Sequence, residues 1–93
     1  MTEVTLTGQL VCASEAENAL VERLLPRHIE LTRAEAGCRA FEVSRTDHPL
    51  VWQVDERFAD AEAFQSHQER VSASAWGRET AHVERRYAIS GLD

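Results

Sequence analysis

Ninety-three residues, 43% hydrophobic and 28% charged, are enough for one soluble domain spanning 1–93 and too few for a second core. Sixteen acidic residues against ten basic ones, all arginine, give a net charge of −6, which excludes nucleic acid as the main partner because phosphate neutralisation needs clustered Lys/Arg. No apolar run approaches the roughly 18 residues of a membrane span, and Met1-Thr2-Glu3-Val4 has neither a basic nor an apolar signal region, so a cytoplasmic protein with no membrane partner is expected.

Residues 4–12 alternate. Val4, Leu6, Leu10 and Cys12 take one face, and Thr5, Thr7, Gln9 and Val11 the other. This is the period of a strand with one apolar face. Gly8 falls on the apolar side, where it predicts a bulge or a close approach to the backbone. Ser14 and Glu17 form a capping box for a helix whose apolar stripe runs through Ala16, Leu20, Leu24, His28 or Ile29, and Leu31. Pro26 inside this pattern predicts a kink or break near Leu24–Leu25, with helix resuming to about Ala36. Gly37 then reads as the residue just past the helix, at positive φ, with Cys38 opening the next strand.

Residues 38–46 form that strand, with Arg39, Phe41, Val43 and Arg45 on one face and Cys38, Ala40, Glu42 and Ser44 on the other. Thr46-Asp47-His48-Pro49 is turn composition. Strand 50–58 completes a hairpin, carrying Trp52, Val54, Glu56 and Phe58 together. Asp60 caps a second helix whose buried stripe is Ala61, Phe64, His67 or Gln68, and Val71. Ser72 or Ser74 caps a short last helix to about His82, with Trp76 and Val83 inward, before a closing strand over 84–90. The order is α+β, a ferredoxin-like βαββαβ with an antiparallel sheet and one extra short helix.

The chain has no GxSxG, P-loop, HExxH or GxGxxG motif, which argues against the corresponding hydrolases, NTPases and dehydrogenases. Cys12 and Cys38 lack CxxC spacing, no metal site is expected, and both read as thiols. His28, His48 and His82 read as surface or turn residues. Two titratable groups stand out. His67 lies one turn after Phe64, where an imidazole can exchange a proton near neutral pH or simply be a satisfied core side chain. Glu56 sits in an apolar strand row, where a carboxylate is expensive without a partner; that partner is expected to be His67 or an arginine. Trp52, Phe64, Trp76 and Tyr87 are the aromatic residues for a flat ligand or for the core.

Leu24-Leu25-Pro26, Thr32-Arg33-Ala34-Glu35-Ala36-Gly37-Cys38, Val54-Asp55-Glu56-Arg57-Phe58-Ala59-Asp60 and Ala63-Phe64-Gln65-Ser66-His67 together resemble the antibiotic biosynthesis monooxygenase family over about residues 4–90. The resemblance implies a dimeric α+β barrel, two sheets packed face to face, with a pocket between sheet and helices in each subunit. It also implies a cofactor-independent monooxygenase that oxidises a phenolic or quinol-type aromatic with O2, with His67 and Glu56 catalytic and Trp52, Phe64, Trp76 and Tyr87 binding substrate. Two other readings remain beside it: a non-catalytic dimeric domain that binds a small ligand, and an isomerase or proton-transfer enzyme using the same pair without oxygen. Thr5, Thr7, Val11, Phe41 and Val43 are expected on the sheet face that a second subunit covers.

Overall fold

The computed structural model describes residues 2–92. Seven elements follow in order: β1 (Val4–Val11), α1 (Glu15–Arg33), β2 (Cys38–Arg45), β3 (Val51–Phe58), α2 (Ala61–Ser72), α3 (Ala75–Glu79) and β4 (Glu84–Ser90). The sheet order is β2-β3-β1-β4, and every neighbouring pair is antiparallel. This is the ferredoxin-like arrangement, with the helices on one face of the sheet. No helix among the described residues is long and apolar enough to cross a membrane.

The caps explain where the helices begin. Ser14, Asp60 and Ser74 each accept a backbone N–H three residues on, from Glu17, Ala63 and Gly77. Glu17 also accepts the amide of Ala13, closing the capping box one residue early. The core lies between the helices and the sheet face carrying Val4, Leu6, Leu10, Trp52, Val54 and Phe58.

Several expectations need correction. α1 is continuous across Pro26. Pro26 and Glu22 both lie on the exposed side, so the carbonyl that loses its helical donor faces solvent and no break is forced. The buried stripe of α1 is Asn18, Val21, Leu25, His28 and Thr32, rotated from the one predicted. Polar partners drive the rotation: Asn18 Oδ1 accepts from Trp52 Nε1 at 3.0 Å, and Thr32 Oγ1 accepts from Arg70 at 2.9 Å. α1 ends at Arg33 and α3 at Glu79, both short of the predicted ends.

Gly37 does not have positive φ. Its role is space, because a Cβ there would lie 2.3 Å from Ala63 Cβ on α2. Gly37→Ala is therefore expected to cost about 1–3 kcal/mol through overpacking. The check is a lower urea midpoint at unchanged denaturant slope; an unchanged midpoint would show that the α1–β2 connection yields freely. Gly8 keeps its register with Val54 and Tyr87, so there is no bulge. A Cβ on it would strike the Arg86 carbonyl of β4 at 2.1 Å.

A bulge occurs instead at Arg39, between Cys38 and Ala40. It resets the alternation of β2, so Cys38 pairs with Phe58 while Phe41 and Val43 pair with Glu56 and Val54. Phe41 and Val43 thus face the helices and do not belong to the outer face. The outer face is polar: Thr7 donates to Asp55 at 2.6 Å, and Thr5 and Ser90 share a hydrogen bond at 2.8 Å.

Candidate active site

A cavity of about 380 Å³ opens between the sheet and α1, α2 and α3. Glu56, His67, Trp76 and Tyr87 line it, together with His28, Phe41 and Arg85. Trp52 and Phe64, expected as ligand contacts, do not. Trp52 is buried at one end of the sheet beneath Arg45, whose guanidinium carbon sits 3.9 Å from the indole centroid. Phe64 packs edge-on against Phe58 at 5.6 Å.

His67 is 3% exposed and lies between two carboxylates. Its Nδ1 is 2.9 Å from Glu35 Oε1, and its Nε2 is 3.8 Å from Glu56 Oε1. Glu35 accepts from Arg70 Nε at 2.5 Å, and Arg70 also donates to Thr32. With Glu35 so engaged, the His67 proton belongs on Nδ1, donated to Glu35. Nε2 then presents a lone pair on the Glu56 side. Burial pulls the imidazole pKa below its ordinary 6.5, and the Glu35 charge and hydrogen bond partly oppose that shift.

Glu56 is the less satisfied member. Its Oε1 is buried without a hydrogen-bond partner. Burial, reinforced by the Glu35 charge, pushes its carboxyl up to about 7, against the pull of Arg85. Near neutrality the pair is thus a neutral imidazole beside a carboxyl whose proton affinity has been raised toward neutral pH. That arrangement can take a proton and return one.

Sequence reasoning missed three participants. His28, expected at the surface, is buried: it stacks on Trp76 with centroids 4.6 Å apart and meets Phe41 edge-on at 5.2 Å. Burial, with the charges of His67, Arg70 and Arg85, holds it down to about 3, so it stays neutral. Glu35 was passed over because its partner lies 32 residues away. Arg85 is held under α3 by Thr80 and Val83. Helical spacing offers His28 or Ile29 as a stripe position, and neither helical nor strand spacing carries a signal for Glu35 or Arg85. His82, by contrast, is exposed near Glu17 at 3.4 Å, and His48 accepts the Leu50 amide in its turn. Tyr87 is pushed up to about 12, chiefly by burial, so its phenol stays protonated. Among the described residues, no three His, Cys, Asp or Glu side chains gather into a metal-ligand set.

The sequence profile of the family described as antibiotic biosynthesis monooxygenase matches residues 4–79. Solved structures similar to the chain include Rv0793 from Mycobacterium tuberculosis, at 18% identity and a TM-score of 0.77 over 99% of this chain and 97% of that one. A Nitrosomonas europaea protein provisionally described as an antibiotic biosynthesis monooxygenase matches at 16% identity and a TM-score of 0.76 over 96% of each chain. A Bacteroides thetaiotaomicron protein described as a possible oxidoreductase matches at 13% identity and a TM-score of 0.74 over 98% of each. At these identities the likeness is one of fold. No curated protein matches the chain.

Proposed function

The chain belongs to the antibiotic biosynthesis monooxygenase family, and from that premise we propose that it oxidises a phenolic or quinol-type aromatic with O2, without a metal or organic cofactor. One observation carries the reading: His67, oriented by Glu35, turns its Nε2 toward a buried, partnerless carboxyl oxygen in an aromatic-lined cavity. In this reading the substrate ring lies against Trp76 and Tyr87. His67 Nε2 takes the proton of the substrate hydroxyl. Phe41, Trp76 and the apolar floor exclude water, so the phenolate is poorly solvated and gives one electron to O2 more readily. The aryloxyl radical and superoxide combine on a ring carbon that bears hydrogen. The resulting peroxide loses that hydrogen and a hydroxide, which leaves as water with the proton from His67 or Glu56. For an anthrone the balance is a methylene turned into a carbonyl, with one atom of O2 retained and the other released as water.

The test is oxygen uptake by purified protein with a panel of anthrones and hydroquinones. Stoichiometric uptake with quinone formation supports the reading, and silence across the panel sinks it. The same pair could shift a proton between two carbons of a substrate, because a Glu56 whose proton affinity is raised toward neutral pH, beside a neutral His67, offers both donor and acceptor. Turnover that persists without oxygen would identify that isomerase. The reading also takes the chain as a homodimer covering the outer sheet face, since 93 residues bury little surface alone. Sedimentation would check it. Two free thiols fit a reducing compartment such as the cytoplasm.

A further inference from the structure

We propose that Arg85 anchors a carboxylate on the substrate, so that the cavity takes an elongated hydroxyaryl acid with its hydroxyl at His67 and its acid group at the opposite pole. The inference rests on the reading of the cavity as an aromatic binding site. It adds a charged end to that ligand.

Arg85 projects from the helix-facing side of β4, opposite Leu10, and lines the cavity. Its guanidinium makes three hydrogen bonds to one turn and also meets the hydroxyl of Tyr87 in a side-chain hydrogen bond. Nη1 donates to the carbonyls of Thr80 at 2.7 Å and Val83 at 3.0 Å, and Nη2 donates to Thr80 Oγ1 at 2.8 Å. A guanidinium has five N–H donors. The turn leaves the Nε–H and one Nη2–H, and the neutral Tyr87 hydroxyl is the group that shares them. A carboxylate drawn to these donors would meet the guanidinium and the Tyr87 hydroxyl together.

The missing partner is notable in this chain. Acids outnumber bases by 16 to 10, and Arg70, Arg45, Arg33 and Arg86 each sit on a carboxylate. Arg85 has none within ion-pair distance among the described residues, although it is partly buried. Its charge is nevertheless felt in the cavity, lowering the proton affinity of Glu56, Tyr87 and His28.

Register sets the ligand's length. Glu56 stands opposite Leu6 and Arg85 opposite Leu10. Four residues of strand separate the two rows by about 13 Å. The wall between them is Val54, Tyr87 and Trp76. A two- or three-ring aromatic fits that span and the 380 Å³ available. With a net charge of −6 the protein repels anions at long range, so selection for an acid has to come from a local cation such as this one.

The experiment is calorimetric titration of the protein, without oxygen, with 6-hydroxy-2-naphthoate and with its neutral analogue 6-hydroxy-2-naphthamide. The acid is expected to bind about tenfold tighter or more, as a charge-assisted hydrogen bond implies. Arg85→Gln is expected to abolish the preference while leaving amide affinity within about twofold. Three results would overturn the assignment: equal affinity for acid and amide, an Arg85→Gln variant that weakens both by the same factor, or no binding of either. The second would mean that Arg85 only braces the turn at 80–83. If that variant does not fold, the acid-to-amide ratio of the native protein decides alone. A preference for the acid with no oxygen uptake would remove the monooxygenase and keep the anchor.

Discussion

Replacing His67 with alanine is expected to lower oxygen uptake with a hydroxyaryl substrate by about 10²–10⁴-fold, the usual weight of a positioned general base. Alanine alone is an ambiguous probe. The imidazole is buried against Phe58, with centroids 4.7 Å apart, and its removal leaves a hole and strands Glu35. His67→Asn is the sharper variant. Its amide nitrogen stands close to where Nδ1 stood and can still donate to Glu35, but it places no base on the Glu56 side. If Nε2 is the base, Asn and Ala lose turnover alike while Asn keeps more of the stability. Turnover within about threefold of the native rate in His67→Asn would remove His67 from the chemistry. Glu35→Gln should fall between the native protein and the His67 variants in turnover. It keeps an acceptor for Nδ1–H but withdraws the charge that raises imidazole basicity, so the pH at which rate reaches half its plateau should move down.

What the sequence disclosed, and what it hid, follows the range of the interactions. Ser14, Asp60 and Ser74 are legible because a cap acts over three residues. The β2–β3 hairpin is legible because its alternation and its turn are local. The bulge at Arg39 is not, since it arises from how β2 meets Phe58 and Arg57 across the sheet, and it alone moves Phe41 into the cavity. The rotation of α1 is hidden for the same reason. Asn18 looks like a surface residue until Trp52, 34 positions later, supplies its donor. The site divides likewise. Glu56 is conspicuous as a carboxylate in an apolar row. His67 needed one turn of helix after Phe64. His28 becomes a cavity residue only because Trp76 arrives from a separate helix to stack on it. Trp52 misled because an indole at a strand end serves a structural lock with Asn18 and Arg45 as readily as a ligand.

Two named residues give stability opposite pH dependences, which offset each other between 4.5 and 6.5 and leave a broad maximum near about pH 5–6, with net limbs of under about 1 kcal/mol down to about pH 4 and up to about pH 8. Glu56 holds its proton more tightly when folded, its carboxyl raised from 4.5 to about 7 by burial and by Glu35 against the pull of Arg85. Its contribution is complete below 4.5 and is lost as pH rises through 7. At about 1.4 kcal/mol per pH unit the loss from Glu56 alone, the part read against Glu56→Gln, reaches about 3 kcal/mol by about pH 8. His28 runs the other way. Its pKa is lowered from 6.5 to about 3 by burial and by the neighbouring His67, Arg70 and Arg85, so stability present above 6.5 is lost as pH falls toward 3. Taken alone, the His28 contribution amounts to about 3 kcal/mol by about pH 4. Glu56→Gln mimics the protonated carboxyl in shape and charge. It is expected to stabilise by about 2–3 kcal/mol near about pH 8 and by little near about pH 4.5. His28→Phe keeps the stack on Trp76 without a titrating nitrogen and should flatten the acid limb. Urea titrations across the pH range read both effects. Curves for Glu56→Gln that run parallel to the native protein at every pH would mean that Glu56 does not carry the alkaline limb. The carboxyl would then lack the shared proton that the proposed chemistry uses.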